Sequence, residues 1–474
     1  MKREIVLLMA MCLTIGSLVS AAPQEKLQQG VGLTIYNDNF AVVRESRPMA
    51  FEQGTNIVKF TDVASAIDPT SVSFKCLSSP GAVSILEQNY EYDLVNSDSL
   101  LKRYIDKKVT IELKGSGADS SQEITGVLMA AMGNDLILKN DKNEIQIVDK
   151  ISTGKISLRE LPEDLVTRPT LVWLADSKEK GQQLCQVTYT TGQLGWNADY
   201  LAVLNADETK IDFSGWVTID NKSGAGYKDA TIKLIAGDVR RVVEPVPMER
   251  GRMVYAMKGG ADQAGFEEKP FMEYHLYTLG RKSTVNNNQV KQIEFITPAS
   301  GVLSNKIYIY ERKPRWFYEN KNQKDKVNVK IEFENTRENG LGIALPKGKI
   351  RVFKKDPADG TLEFVGEDKI DHTPAKEKLS LYIGDAFDIV PQYTLVDGKY
   401  SEHYSRETHK IELRNRKQSA VTVYVDEKLT QGRNWTIEKS THEYKKRDAN
   451  TIRFEVKIEA DSTAAIEYTV TETW

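Results

Sequence analysis

Between residues 187 and 240, apolar side chains fall at every second position through several short runs. In Ile211-Asp212-Phe213-Ser214-Gly215-Trp216-Val217-Thr218-Ile219 the odd positions are apolar, with Gly215 among them, and the even positions are polar except Trp216. Period 2 is the signature of a strand with one buried face. Ser223-Gly224-Ala225-Gly226 supplies a permissive turn, and Ile232, Leu234 and Ala236 resume the alternation. The pattern predicts a strand–turn–strand unit whose single apolar face must be covered by a second sheet.

The same rhythm runs through most of the chain. LTIYN, AVVRE, NIVKF, SVSFKC and AVSILEQNYEY read as strands over 32–92, and Ser97 to Tyr104 as one short helix capped by Asn96 or Ser97. VTIEL, ITGVLMAA, DLILKN, EIQIVD and KISLREL pack five short strands into 107–158, with tight turns such as Gly115-Ser116-Gly117. That density predicts a small SH3- or Sm-like barrel. Residues 161–168 read as a connector, and 242–271, rich in Pro, Gly and charge, as a linker or long loop. Beyond it, turn signals recur every 8–12 residues, the spacing of a sandwich. The expected fold class is all-β, with β-sandwich domains and a small SH3/Sm-like barrel inserted near the N-terminus. The expected order is a signal peptide (1–21), an N-terminal β region (22–104), the barrel (105–160), central sandwich strands (169–241), the linker (242–271) and a C-terminal sandwich (272–474).

The N-terminus changes the setting. Lys2 and Arg3 precede an apolar run over 5–19 and the small-residue site Val19-Ser20-Ala21, the order of a secretory signal. The run is too short and poorly flanked for a stable membrane span. The expectation is an exported, periplasmic or envelope-associated chain with no membrane span after cleavage. Its net charge of −3 tells against a nucleic-acid partner, which would need a strongly basic face. Cys76 and Cys185 remain after processing. One pair in so long a chain is no disulfide framework, and two buried thiols in strands is the plain expectation.

LGWNADYLAVLN, SGWVTIDNKSGAGYKDATIKLIAGDV, EYHLYTLGRKSTVNNNQVKQIEF and LGIALPKGKIRVFKKDPADGTLEFVGEDKIDHTP together resemble the family catalogued as domain of unknown function 4139, whose relatives include the mucoidy-inhibitor-A-like proteins. The likeness spans about 169–474. It implies a bacterial, exported β-sandwich protein and brings no catalytic residues. Longer relatives carry a helical, coiled-coil segment where this chain carries the 107–158 unit.

Chemistry is sparse. No G-x-S-x-G elbow, H-E-x-x-H, phosphate loop or paired C-x-x-C occurs, and no catalytic residue, metal ligand or cofactor is assigned. Glu273 and His275 would share one strand face, as would His403 and His409 with Ser405 and Glu407; solvated or half-buried polar faces explain both. Glu367, Asp368 and Asp371 before His372 suggest an acidic loop, too small for the six to eight oxygens calcium needs. Aromatics carry the binding candidates: Trp196 and Tyr200 around Asp199, and Trp316, Phe317 and Tyr318 after a basic turn. Such side chains stack on sugars or anchor a protein partner, or else plug a seam between domains. Trp216, on the polar side of its strand, is expected in such a seam. The reading is a non-catalytic protein that binds an envelope protein or glycan or acts as a scaffold. The alternative is a hydrolase of envelope glycans or peptides with a site not visible as a motif. An outer-membrane barrel, suggested by the terminal AIEYTVTETW, is opposed by charged strands such as 326–334.

Overall fold

The computed structural model describes residues 29–92, 97–114, 121–159, 168–240, 265–312 and 325–474. The expected signal peptide, the possible cap Asn96, the Gly115–Gly117 turn and the triplet Trp316, Phe317 and Tyr318 lie outside these residues, as does most of the expected linker. Among the described residues the chain forms thirty strands, one short α-helix (Ser97–Arg103) and one 3₁₀ turn (Lys150–Ser152). The protein is all-β.

Alternation translates directly into packing. In the strand Lys210–Asn221, Ile211, Phe213, Val217 and Ile219 enter the main core while Trp216 faces outward. Gly215 leaves room for its neighbours: a Cβ there would meet Ile296 at 2.9 Å and Tyr200 at 3.1 Å. At the following turn Gly224 takes a φ of +89°, and a Cβ would fall 1.9 Å from Ser65 Oγ. Glycine is the residue that fits both the conformation and the contact.

The core lies between two sheets. An eight-stranded sheet carries Gly30–Tyr36, Phe40–Phe51, Gly181–Gly192 and Tyr227–Ala236; a ten-stranded sheet carries Leu194–Leu204, Lys210–Asn221 and Gln289–Arg312. A three-stranded sheet of Gly54–Thr61, Thr170–Ser177 and Val83–Glu91 adds Phe60, Leu171 and Trp173 to the same core. Residues 22–104 and 169–241 were expected as separate regions, but the ladders weave them together. Gly30–Tyr36 runs parallel to Tyr227–Ala236, and Phe40–Phe51 pairs with Gly181–Gly192 along its whole length. Strand periodicity reveals which face is buried but not which distant strand completes the ladder.

One 24-residue strand, Gln289–Arg312, joins two sandwiches. Its first half pairs with Lys210–Asn221; its second half pairs with Asn328–Glu334 and Val421–Lys428. Phe295 and Val302 accordingly enter the first core, and Tyr308 and Tyr310 the second. That second core is closed by a four-stranded sheet supplying Ile411, Leu413, Ile466 and Val470.

The five-stranded insert has its own core of Val109, Ile111, Leu128, Leu136, Leu138 and Val148, joined by Leu101 and Tyr104 from around the helix. Its strand order is Thr153–Ser157, Lys108–Lys114, Ser121–Met132, Asp135–Lys139, Ile145–Asp149. Among the described residues no ladder joins the two outer strands. The insert leaves after Val83–Glu91 and returns before Thr170–Ser177, and those two strands pair with each other.

The end of the expected linker is a correction. Phe266–Phe271 is a strand, paired with Tyr274–Leu279 at the edge of the eight-stranded sheet, with Phe266 buried. Glu267, Glu268, Lys269 and Pro270 hide its periodicity, and an edge position is where proline is tolerated.

A basic cleft on the C-terminal sandwich

Of the aromatic residues proposed from sequence, the two that are described, Trp196 and Tyr200, do not form a platform. Trp196 and Tyr200 are 1% and 2% exposed, and they sit on the core side of Leu194–Leu204. Trp196 Nε1 donates to the Ile235 carbonyl at 3.2 Å, crossing to the opposite sheet, and Tyr200 OH donates to the Pro346 carbonyl at 2.8 Å. Burial pushes the Tyr200 hydroxyl well above its usual pKa. Asp199 points the other way, accepting from Thr218 Oγ1 at 2.7 Å and lying 3.5 Å from Arg351. Alternation along Leu194–Leu204 turns Trp196 and Tyr200 to the buried face, and backbone acceptors for the indole N–H and the hydroxyl make that burial tolerable. Trp216 is 42% exposed, between Asp199 and Glu294 on the neighbouring strands; most of the linker expected to cover it lies outside the described residues.

Histidines and carboxylates also regroup. Glu273 lies in the turn before Tyr274–Leu279, so the partner of His275 is Glu268 across the hairpin, with Nδ1 2.6 Å from Oε1. His372 accepts from the Lys347 N–H at 3.2 Å, and burial holds its pKa down, with the Lys347 charge adding to the effect. His403 is in a turn, whereas His409 is buried between Tyr393 OH at 2.9 Å and Glu407 at 3.2 Å. Glu367 and Asp368 belong to the strand Leu362–Ile370, not to a loop. Glu367 is 3.2 Å from Lys349, and Asp368 accepts from the Tyr382 N–H at 2.7 Å. Among the described residues, no group of three or more His, Cys, Asp or Glu is placed to hold a metal ion.

A different surface has the shape of a binding site. A cleft of about 810 Å³ opens on the outer face of the second sandwich. The strand Thr451–Ile458 builds its floor by alternation: Ile452, Phe454, Val456 and Ile458 enter the core, and Arg453, Glu455 and Lys457 project into the cleft. Tyr424 and Ile307 extend the floor on neighbouring strands, and Glu332 and Lys378 form one wall. The other wall is the segment His442–Arg447, whose strand Tyr444–Lys446 pairs with Thr451–Ile458 at the sheet edge.

The lining carries six basic side chains, Lys378, Lys445, Lys446, Arg447, Arg453 and Lys457, against three acidic ones, Glu332, Glu443 and Glu455. The chain as a whole is slightly acidic, so this positive surface is local. Arg453 is clamped from behind: both its Nε and Nη2 reach the buried Asp426 at 2.6 Å, and Arg447 approaches the same carboxylate at 3.2 Å. Arg453 also lies over the Tyr424 ring at 4.9 Å, and Lys446 over the Trp435 ring at 4.7 Å. Asp426 fixes Arg453 and offsets part of the Arg453 and Arg447 charge, Lys378 pairs with Glu332 and Lys457 with Glu459, so Lys445 and Lys446 supply most of the charge left for an incoming anion. Tyr444 stays 39% exposed at the rim.

No protein-family model and no curated protein matches this chain. The site is therefore read from its own chemistry. None of its residues was a candidate in sequence. The Tyr444-Lys445-Lys446-Arg447 run was the available signal, and a charge run reads as a solvated face unless its neighbours in space are known.

Beneath the cleft, the second core holds an ionic cluster. Glu427 is fully buried against Arg312, whose guanidinium stacks 4.5 Å over Tyr393. Burial pushes the Glu427 carboxyl up to about 7 despite the pull of Arg312. Glu427 does not line the cleft.

Proposed function

We propose that this chain is an exported, non-catalytic binding protein of the bacterial envelope, export being what the family resemblance implies, and that the C-terminal cleft receives an acidic glycan. The observation that carries the reading is the cleft itself, where six cationic side chains and the tyrosines Tyr424 and Tyr444 line one concavity. Cations answer spaced carboxylates, and aromatic faces stack on the apolar faces of sugar rings. The test is titration calorimetry of the whole mature chain with a polyuronate oligosaccharide and with a neutral oligosaccharide of equal length. The uronate binds and the neutral chain does not; Lys445→Ala with Lys446→Ala weakens binding about tenfold, the scale of one to two exposed charge contacts. Equal affinity for both sugars, or no effect of the double variant, overturns it. Binding of an acidic peptide in place of the sugar moves the assignment to a protein partner.

A hydrolase is the second reading, and the observation favouring it is the Glu268–His275 pair. A buried carboxylate 2.6 Å from Nδ1 orients an imidazole as a general base requires. Release of reducing ends or amines that disappears in His275→Ala would establish that activity.

A further inference from the structure

We infer that Cys76 and Cys185 are joined by a cross-strand disulfide in the exported protein. The two residues are direct register partners where Ile67–Cys76 pairs with Gly181–Gly192. In the next pair along the ladder, the Leu77 N–H donates to the Leu184 carbonyl at 2.7 Å, which makes Cys76 and Cys185 a non-hydrogen-bonded pair. Cα atoms in such pairs stand about 4.5 Å apart with side chains on one face. That separation falls in the range of roughly 4.4–6.8 Å that a disulfide spans, so the bond needs no backbone rearrangement. Both thiols are buried in one small apolar cluster with Phe51, Val83 and Ala175, and each bonds around Gln183, Cys76 to its side-chain oxygen at 3.8 Å and Cys185 to its carbonyl at 3.7 Å. The plain reading of two unrelated buried thiols does not account for their meeting.

The oxidant is a protein or small-molecule disulfide, the class present in an oxidising compartment. The Cys76 thiolate attacks one sulfur of that disulfide and expels the other as a thiolate, forming a mixed disulfide. The Cys185 thiolate then attacks the Cys76 sulfur and expels the second thiolate. Two protein thiols are oxidised, the external disulfide is reduced, and the two protons pass to the departing thiolates. Exchange belongs to the stage before Ile67–Cys76 docks. That strand forms one edge of the sheet, whereas in the docked state burial, with Cys76 close by, pushes the Cys185 thiol up to about 12. The ring so closed, about 110 residues long, contains the whole five-stranded insert.

This inference rests on export, so its experiment has two arms. The processed chain, without Cys12, is recovered from the periplasm of an expressing bacterium and denatured in an alkylating reagent without reductant. The expected result is no alkylation, a mass lower by two hydrogens, and one linked peptide pair containing Cys76 and Cys185. Reduced chain refolded with glutathione disulfide should give the same product as a monomer. Linkage in the refolded chain alone means that the export reading fails while the disulfide stands. Two alkylated thiols after oxidative refolding, or only intermolecular dimers, overturn the disulfide itself.

Discussion

Two tryptophans offer the sharpest test of the packing. Trp196→Ala removes an indole from the centre of the main core, where it meets Tyr277 edge-on with ring centroids 6.4 Å apart and ties two sheets through the Ile235 carbonyl. Truncating a buried aromatic costs about 3–5 kcal/mol. At about 2–4 °C per kcal/mol for a unit of 150–250 residues, the melting point of the central sandwich should fall by about 6–20 °C. Trp216→Ala removes an indole that is already 42% exposed, so its loss should stay within about 1 kcal/mol. The assay is thermal unfolding of both variants beside wild type, followed by near- and far-ultraviolet circular dichroism. Equal destabilisation by the two substitutions, or a larger effect at Trp216, would refute the assignment of Trp196 to the core and Trp216 to the surface.

Other consequences concern the C-terminal core. Arg312→Ala strands Glu427 in an apolar interior and should cost about 3–5 kcal/mol in denaturant titration, while Arg312→Met combined with Glu427→Leu should recover most of it. His409 has its pKa lowered by burial, so the unfolded chain takes up a proton near pH 6.5 that the folded chain resists. Its contribution is complete above that pH and is lost as pH falls below it. His409→Gln should therefore lose less stability than wild type between pH 7 and 5.5. Glu427, raised to about 7, acts with the opposite sign but is present in both proteins, so the difference in slope isolates His409; identical slopes would contradict the assignment.

The fold was legible where chemistry is local. Ile211, Phe213, Val217 and Ile219 declare their buried face by period alone, and Ser97 and Gly224 mark a helix start and a turn by their own backbone preferences. Legibility fails where partners are distant. Nothing near Gly30–Tyr36 announces a parallel neighbour some two hundred residues away, and Phe266–Phe271 is concealed by charge that an edge strand carries without penalty. Trp196 and Tyr200 misled: an aromatic side chain is read as a platform or a plug according to what covers it, which is a property of the other sheet. The cleft was illegible for the same reason. Tyr424, Lys378, Lys446 and Arg453 converge only after five separate ladders have formed.

Amide hydrogen exchange with and without a polyuronate oligosaccharide tests the binding reading at its source. Binding in the cleft should slow exchange over Tyr444–Lys446 and Thr451–Ile458, an effect suppressed by added salt because the contacts are exposed ion pairs. Protection confined to the Trp216 face of Lys210–Asn221, or to the hairpin bearing Glu268 and His275, would contradict it.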